Sequence, residues 1–200
     1  MGQLLRKCSR AGRRGRQKSE VRGRLKFMFA TIYLPNFYLQ AASRHQPELQ
    51  AKPVALIEEQ ENKPLIIQLN KQAEAAGICK GMTPSQALAR DLQVVIKIRS
   101  RIQEKLIQEI LLQYAFTLSP FVESTAPGIS TIQFTDNFNL ADKITRVIER
   151  LAKSEVQAQA GIADLPDTSL LAAHLARPVL KIDEPRKFLA TLPIETLAVG

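Results

Sequence analysis

Residues 94–163 run VVIKIRSRIQEKLIQEILLQYAFTLSPFVESTAPGISTIQFTDNFNLADKITRVIERLAKSEVQAQAGIA, and this stretch decides the fold. Val94–Ile98 is a short, largely β-branched apolar run, the pattern of a buried strand. Arg99–Ala115 then sets Ile102, Leu106, Ile110 and Tyr114 on one stripe of a long helix. Leu118–Val122 and Ile129–Thr135 read as two strands joined around Pro127-Gly128. Leu140, Ile144, Val147, Ile148 and Leu151 mark a second amphipathic helix, over residues 139–153, and Val156–Ala163 a further strand. The order β-α-β-β-α-β predicts an α+β fold of ferredoxin-like plan: one antiparallel sheet with both helices on the same face.

On the N-terminal side, Phe29–Leu34 is apolar enough to add a strand to that sheet, beside residues 129–135. Val54–Ile57 and Leu65–Leu69 are two more strands. Lys71–Ala76 is a short helix closed by Gly77, where a left-handed residue is wanted. Thr83-Pro84-Ser85-Gln86 opens another: Thr83 caps, Pro84 suits the first turn and Gln86 completes a capping box. The expected organisation is a main domain over 28–39 and 91–165, with a smaller α/β subdomain inserted at 40–90. Downstream, Ser169–Ala176 is helical, and 166–200 leads out of the main domain.

The net charge of +9 divides sharply. Residues 1–27 carry ten Lys/Arg and one acid, whereas residues 28–200 carry 18 of each sign. The basic tail reads as disordered, either an arm for nucleic-acid phosphates or sequence upstream of a true start at Met28. No apolar run approaches the roughly 18 residues of a membrane span, so no membrane role is expected. Cys8 and Cys79 give neither a disulfide framework nor metal spacing, and a cytoplasmic location is expected. Cys79 is read as a packing residue. His45 and His174 lack partner spacing, and Asp164, Asp167, Asp183 and Glu184 read as solvated loop charges and caps.

Six stretches in order resemble the Y-family (DinB/UmuC-type) translesion DNA polymerases. They are Phe29-Ala-Thr-Ile-Tyr-Leu-Pro-Asn-Phe-Tyr38, Lys52-Pro-Val-Ala-Leu56, Ala73–Met82 with its Ala-Gly-Ile-x-x-Gly-Met ending, Ser119-Pro-Phe-Val-Glu123, Gly161-Ile-Ala163 and Leu192-Pro-Ile-Glu-Thr-Leu197. The resemblance covers about residues 28–200. It implies a ferredoxin-like palm with small fingers inserted after the first strand. It also implies a thumb beyond residue 200, and chemistry by two magnesium ions held on carboxylates.

The sequence departs from the family at those carboxylates. The first acid position matches Tyr33, and no Asp or Glu occurs from Phe27 to Pro47. The adjacent acid pair matches Gly128 and Ile129. The family's triphosphate-gripping Tyr and Arg match Lys71 and Glu74, the second with reversed charge, and a later family Lys has Thr168 near its place. Phe37 and Tyr38 match the aromatic pair beneath the nucleotide sugar, and aromatics after a strand equally serve as core. The remnants of a nucleotide pocket are therefore Phe37, Tyr38 and Lys71, with no catalytic residue and no metal site.

The resemblance is closest to the catalytically inactive ImuB-type proteins of bacterial mutasomes. It implies a non-catalytic adaptor in translesion synthesis, without cofactor, whose partners are DNA, the sliding clamp, an error-prone replicative-type polymerase and an ImuA/RecA-like protein. Two alternatives stand beside it. One is an active error-prone polymerase with a divergent magnesium site; the other is an unrelated α+β nucleic-acid-binding domain with a basic arm. The neutral body predicts that DNA affinity resides mostly in residues 1–27 and collapses with salt.

Overall fold

The structure is a computed structural model and describes residues 27–58, 64–136 and 138–193. The basic tail, apart from Phe27, and the segment 194–200 lie outside the described residues.

The chain opens with β1 (Met28–Tyr33), in which side chains alternate between two faces. Met28, Ala30 and Ile32 enter the main core, while Thr31 and Tyr33 point the other way. Helix α1 (Phe37–Ser43) and a single 3-10 turn (Pro47–Leu49) lead to β2 (Val54–Ile57) and β3 (Ile66–Leu69). Helix α2 (Lys71–Ala75) is capped by Asn70, whose side chain accepts from the Ala73 N–H, and ends at Gly77 with φ 77°. Helix α3 (Pro84–Arg90) carries the expected capping box, with both Thr83–Gln86 hydrogen bonds formed.

Next come β4 (Val95–Ile98), α4 (Arg101–Phe116), β5 (Val122–Ala126), β6 (Ile129–Phe134), α5 (Leu140–Lys153) and β7 (Gln159–Ala163). Helix α6 (Pro166–Leu175), β8 (Val179–Lys181) and α7 (Pro185–Ala190) follow.

Two sheets form, β5-β6-β1-β7-β8 and β3-β2-β4. In the larger one, β1 pairs antiparallel with β6 on one side and β7 on the other, with Tyr33 opposite both Ile129 and Gln159. Helices α4 and α5 cover one face together. Ile107, Leu111 and Ala115 of α4 and Ile144, Val147, Ile148 and Leu151 of α5 share a core with Ile32, Ile132 and Ile162. Each Leu, Ile or Val side chain among them contributes about 1.5–3 kcal/mol when fully buried. The ferredoxin-like expectation holds.

Its first strand was misplaced, however. The run at 94–98 belongs to the smaller sheet, where β4 lies parallel to β2 with Val54 opposite Val95 and Ile57 opposite Ile98. Val94 and Ile96 complete a small core with Ala55, Ile66, Ala73 and Ala87, which would be open on one side without them. The ferredoxin-like unit therefore begins at β1, and the inserted subdomain extends to residue 98 rather than 90.

Three further expectations shift. Strand β5 starts at Val122 rather than Leu118, because Leu118 and Ser119 hydrogen-bond back to Ala115 as the helix ends. The buried stripe of α4 runs through Glu104, Ile107, Leu111 and Ala115; Ile102 and Leu106 are 75% and 44% exposed. Helix α6 begins at Pro166, not Ser169, and packs on the face of the large sheet opposite α4 and α5, where the buried Thr31 hydroxyl meets Ser169 Oγ at 2.6 Å. Among the described residues no helix is long and apolar enough to cross a membrane.

Candidate functional site

The two inner strands β1 and β6 place three positions in one corner. Tyr33 ends β1, its Cα partner Ile129 begins β6, and Gly128 occupies the turn between β5 and β6. The Leu34 N–H donates to the Gly128 carbonyl at 2.9 Å, and the Gly128 N–H donates to Gln108 Oε1 of α4 at 2.8 Å. The corner is pinned from both sides.

Gly128 has φ 74°, a left-handed conformation that favours glycine. A Cβ there would stand 2.8 Å from both Cβ and Cγ of Phe37. Phe37 is buried in the main core directly against this turn. Tyr38, the next residue, meets it edge to face at 5.3 Å between centroids. Phe37 is thus core, and its contact with Gly128 fills the room a larger side chain would need.

On the face that α6 covers, the Tyr33 ring packs tilted against that of His174, with centroids 4.0 Å apart. Burial pushes the Tyr33 phenol above its ordinary value and the His174 imidazole below its own. Both rings are therefore neutral near pH 7. His174, expected to be an isolated residue, is instead the aromatic neighbour of Tyr33. Beside them runs a row of hydroxyls: Thr31 to Thr131 at 3.4 Å and Thr131 to Thr125 at 2.8 Å.

Lys71 and Glu74 are exposed on α2, in the small subdomain. Cys79, expected to pack, is an exposed free thiol. Asp183 and Glu184 pair with Lys181 at 2.8 Å and Lys187 at 2.6 Å, as solvated loop charges do.

The donor set does not fit a pair of magnesium ions. A phenol whose ionisation burial disfavours, a glycine and an isoleucine offer no hard anionic oxygen. Among the described residues no three His, Cys, Asp or Glu side chains gather as a metal site. Glu123, the acid on β5, sits opposite Thr131. It lines a shallow pocket of about 290 Å³ with Phe29, Phe121, Val122, Gln133 and Pro166.

Sequence reasoning missed Arg99. Its guanidinium lies 4.0 Å from the centroid of the Tyr38 ring and donates to both Glu104 oxygens at 2.7 and 2.9 Å and to Glu58 at 3.2 Å. It ties α1, α4 and the end of β2 together. The signal was Glu104, an acid on the helix side that also presents Ile107 and Leu111; a carboxylate there needs a cation. Arg99→Ala leaves that carboxylate, 11% exposed, without its partner. The expected loss is about 3 kcal/mol in a urea titration, and Arg99→Lys should recover less than half of it, because the two-pronged geometry is gone.

Comparison with known proteins places this architecture. A sequence profile of the impB/mucB/samB family matches residues 32–174. The DNA polymerase IV of Shewanella pealeana is 25% identical over an alignment covering 79% of this chain and 47% of that protein. Among solved structures, a post-insertion binary complex of Dbh DNA polymerase superimposes with TM-score 0.74 at 16% identity, over 84% of this chain and 52% of that one. DinB from Sulfolobus solfataricus gives TM-score 0.74 at 15% identity, over 86% and 53%. The chain therefore spans about half the length of the relatives it matches. With the profile covering well over half of the residues, the chain belongs to the impB/mucB/samB family, the UmuC-type, Y-family group.

Proposed function

We propose that this chain is a Y-family polymerase-like domain that has given up nucleotidyl transfer and serves as an adaptor in translesion synthesis and DNA repair, in the manner of the ImuB-like proteins. In this reading the large sheet with α4 and α5 is the palm, and the β3-β2-β4 sheet with its helices is the fingers. The observation that carries the proposal is the corner itself. Tyr33, Gly128 and Ile129 adjoin as the family's acid positions should, and none can hold a metal. The packing of Phe37 against Gly128 adds to it, because that room is filled by core rather than left for a ligand. DNA, the sliding clamp, an error-prone replicative-type polymerase and an ImuA/RecA-like protein are the partners the family resemblance suggests.

Purified protein should add no nucleotide to a primed template with Mg²⁺ or Mn²⁺, because metal-assisted charge stabilisation is the main catalytic element of phosphoryl transfer. Template-dependent extension that persists through removal of contaminating polymerases would refute the proposal and restore the active-polymerase alternative.

A further inference from the structure

Among the described residues, the insertion ends in a strand whose outer side carries no neighbour in its sheet. In β3-β2-β4, β4 is an edge. Its odd-numbered residues bond inward: the Val95 N–H donates to the Pro53 carbonyl at 2.8 Å and the Arg99 N–H to the Ile57 carbonyl at 2.9 Å. In a parallel pair the alternate residues, Ile96 and Ile98, then turn their N–H and C=O groups outward. The strand reads Val-Ile-Lys-Ile, a strong β-former without the proline that edges often use to block pairing.

Exposed apolar side chains follow this strand in the sequence. Ile98 is 47% exposed, and Ile102 and Leu106 follow at four-residue steps on the solvent side of α4. Four residues is the spacing that keeps side chains on one helix face. The charge along this stretch is mostly basic; the nearby acid Glu58, at the end of β2, is held by Arg99 at 3.2 Å and by Arg101 at 3.7 Å. Between residues 92 and 106 Glu104 is the single acid, and it is held by Arg99. Lys97, Arg101 and Lys105 lie along the same stretch, the last two exposed.

We infer that the outer edge of β4, with Ile98, Ile102 and Leu106 beside it, docks an extended protein segment in which apolar residues alternate with acidic ones. Backbone hydrogen bonds to Ile96 and Ile98 would supply affinity, and alternate side chains on the apolar stripe and the cations would supply selectivity. A second copy of this chain fits less well, because two such edges would bring Lys97, Arg101 and Lys105 against their own kind. A nucleic-acid backbone would meet the cations but leave three exposed apolar side chains against phosphate. The inference rests on the adaptor reading for its expectation of a protein partner. Primer extension tests that reading separately, since an active polymerase could bind a peptide here and an inactive one could fail to.

The test selects displayed random 12-residue peptides against the full 200-residue chain and titrates the winners by fluorescence anisotropy. Acidic, apolar-alternating winners are expected, with affinity reduced about tenfold or more by Ile98→Pro and by Ile102→Glu. Ile98→Pro removes an outward N–H and leaves the bonds to β2 in place. Ile102→Glu acts at an exposed helical position, so it keeps the test valid if the proline variant misfolds. Selection of no binder, of basic peptides, or of peptides indifferent to both variants overturns the inference. So does a loss of duplex-DNA affinity in Ile102→Glu with peptide binding unchanged.

Discussion

Gly161→Ala is expected to cost about 3 kcal/mol or more and to lower the midpoint of thermal unfolding by about 10 °C. Gly161 sits in β7, buried, where α6 crosses the face of the large sheet opposite α4 and α5. A Cβ at this position would run into the Ser169 carbonyl oxygen and the Ala173 amide nitrogen, both backbone atoms of α6. Backbone cannot rotate aside as a side chain can, so the whole helix must lift. Lifting it would also break the buried Thr31–Ser169 hydroxyl contact of 2.6 Å, which a neighbouring void cannot replace. Circular dichroism melts of the variant and the parent decide the matter. An unchanged midpoint would show that α6 rests on the sheet less closely than its hydrogen bonds require.

Placing carboxylates at the three corner positions, as Tyr33→Asp with Gly128→Asp and Ile129→Glu, should not produce a polymerase and should leave a weakened protein. The Gly128 substitution alone combines a left-handed backbone, which costs a non-glycine residue about 1 kcal/mol, with overpacking against Phe37, which costs about 1–3 kcal/mol more. Adding Phe37→Ala to the triple variant should relieve the overpacking but open a cavity in the main core, so stability should fall further rather than recover. On the proposed correspondence, Glu74 would still oppose a triphosphate. Urea titration gives the stability, and primer extension the activity. Robust extension by the triple variant would mean that only the ligands had been lost and the surrounding shape kept.

Much of the fold was legible because the periods of the sequence are clean. The apolar run Phe29–Leu34 forms a strand as read, and the Leu140–Leu151 stripe is the side that α5 buries. The capping box at Thr83 appears as read. Strand 94–98 was placed in the wrong sheet because periodicity says that a segment is extended, not which strand it pairs with; β2 and the small core decided that. The α4 stripe was misjudged for a related reason. Apolar residues occupy more than one side of that helix, and the buried side includes Glu104, which a hydropathy reading rejects. The corner positions Tyr33, Gly128 and Ile129 came from counting along aligned strands, and the β1–β6 register places them side by side. His174 and Arg99 stayed hidden because each matters through a partner far away in sequence, Tyr33 for one and Tyr38 with Glu58 for the other.

Helix α1 serves two interiors at once: Phe37 and Ala41 enter the core beneath the large sheet, and Leu39 enters the one beneath the small sheet. The strand that leaves the large sheet and the segment that returns to it meet where Tyr38 lies under Arg99. An insertion whose two ends touch is a cassette: its interior can be rewritten, lengthened or exchanged between relatives while the surrounding sheet keeps its register. Such a design lets lineages diversify what the small subdomain touches without disturbing the frame that carries it. The seam at Phe37, Tyr38 and Arg99 is then the place where a chimaera of two family members must be cut and matched.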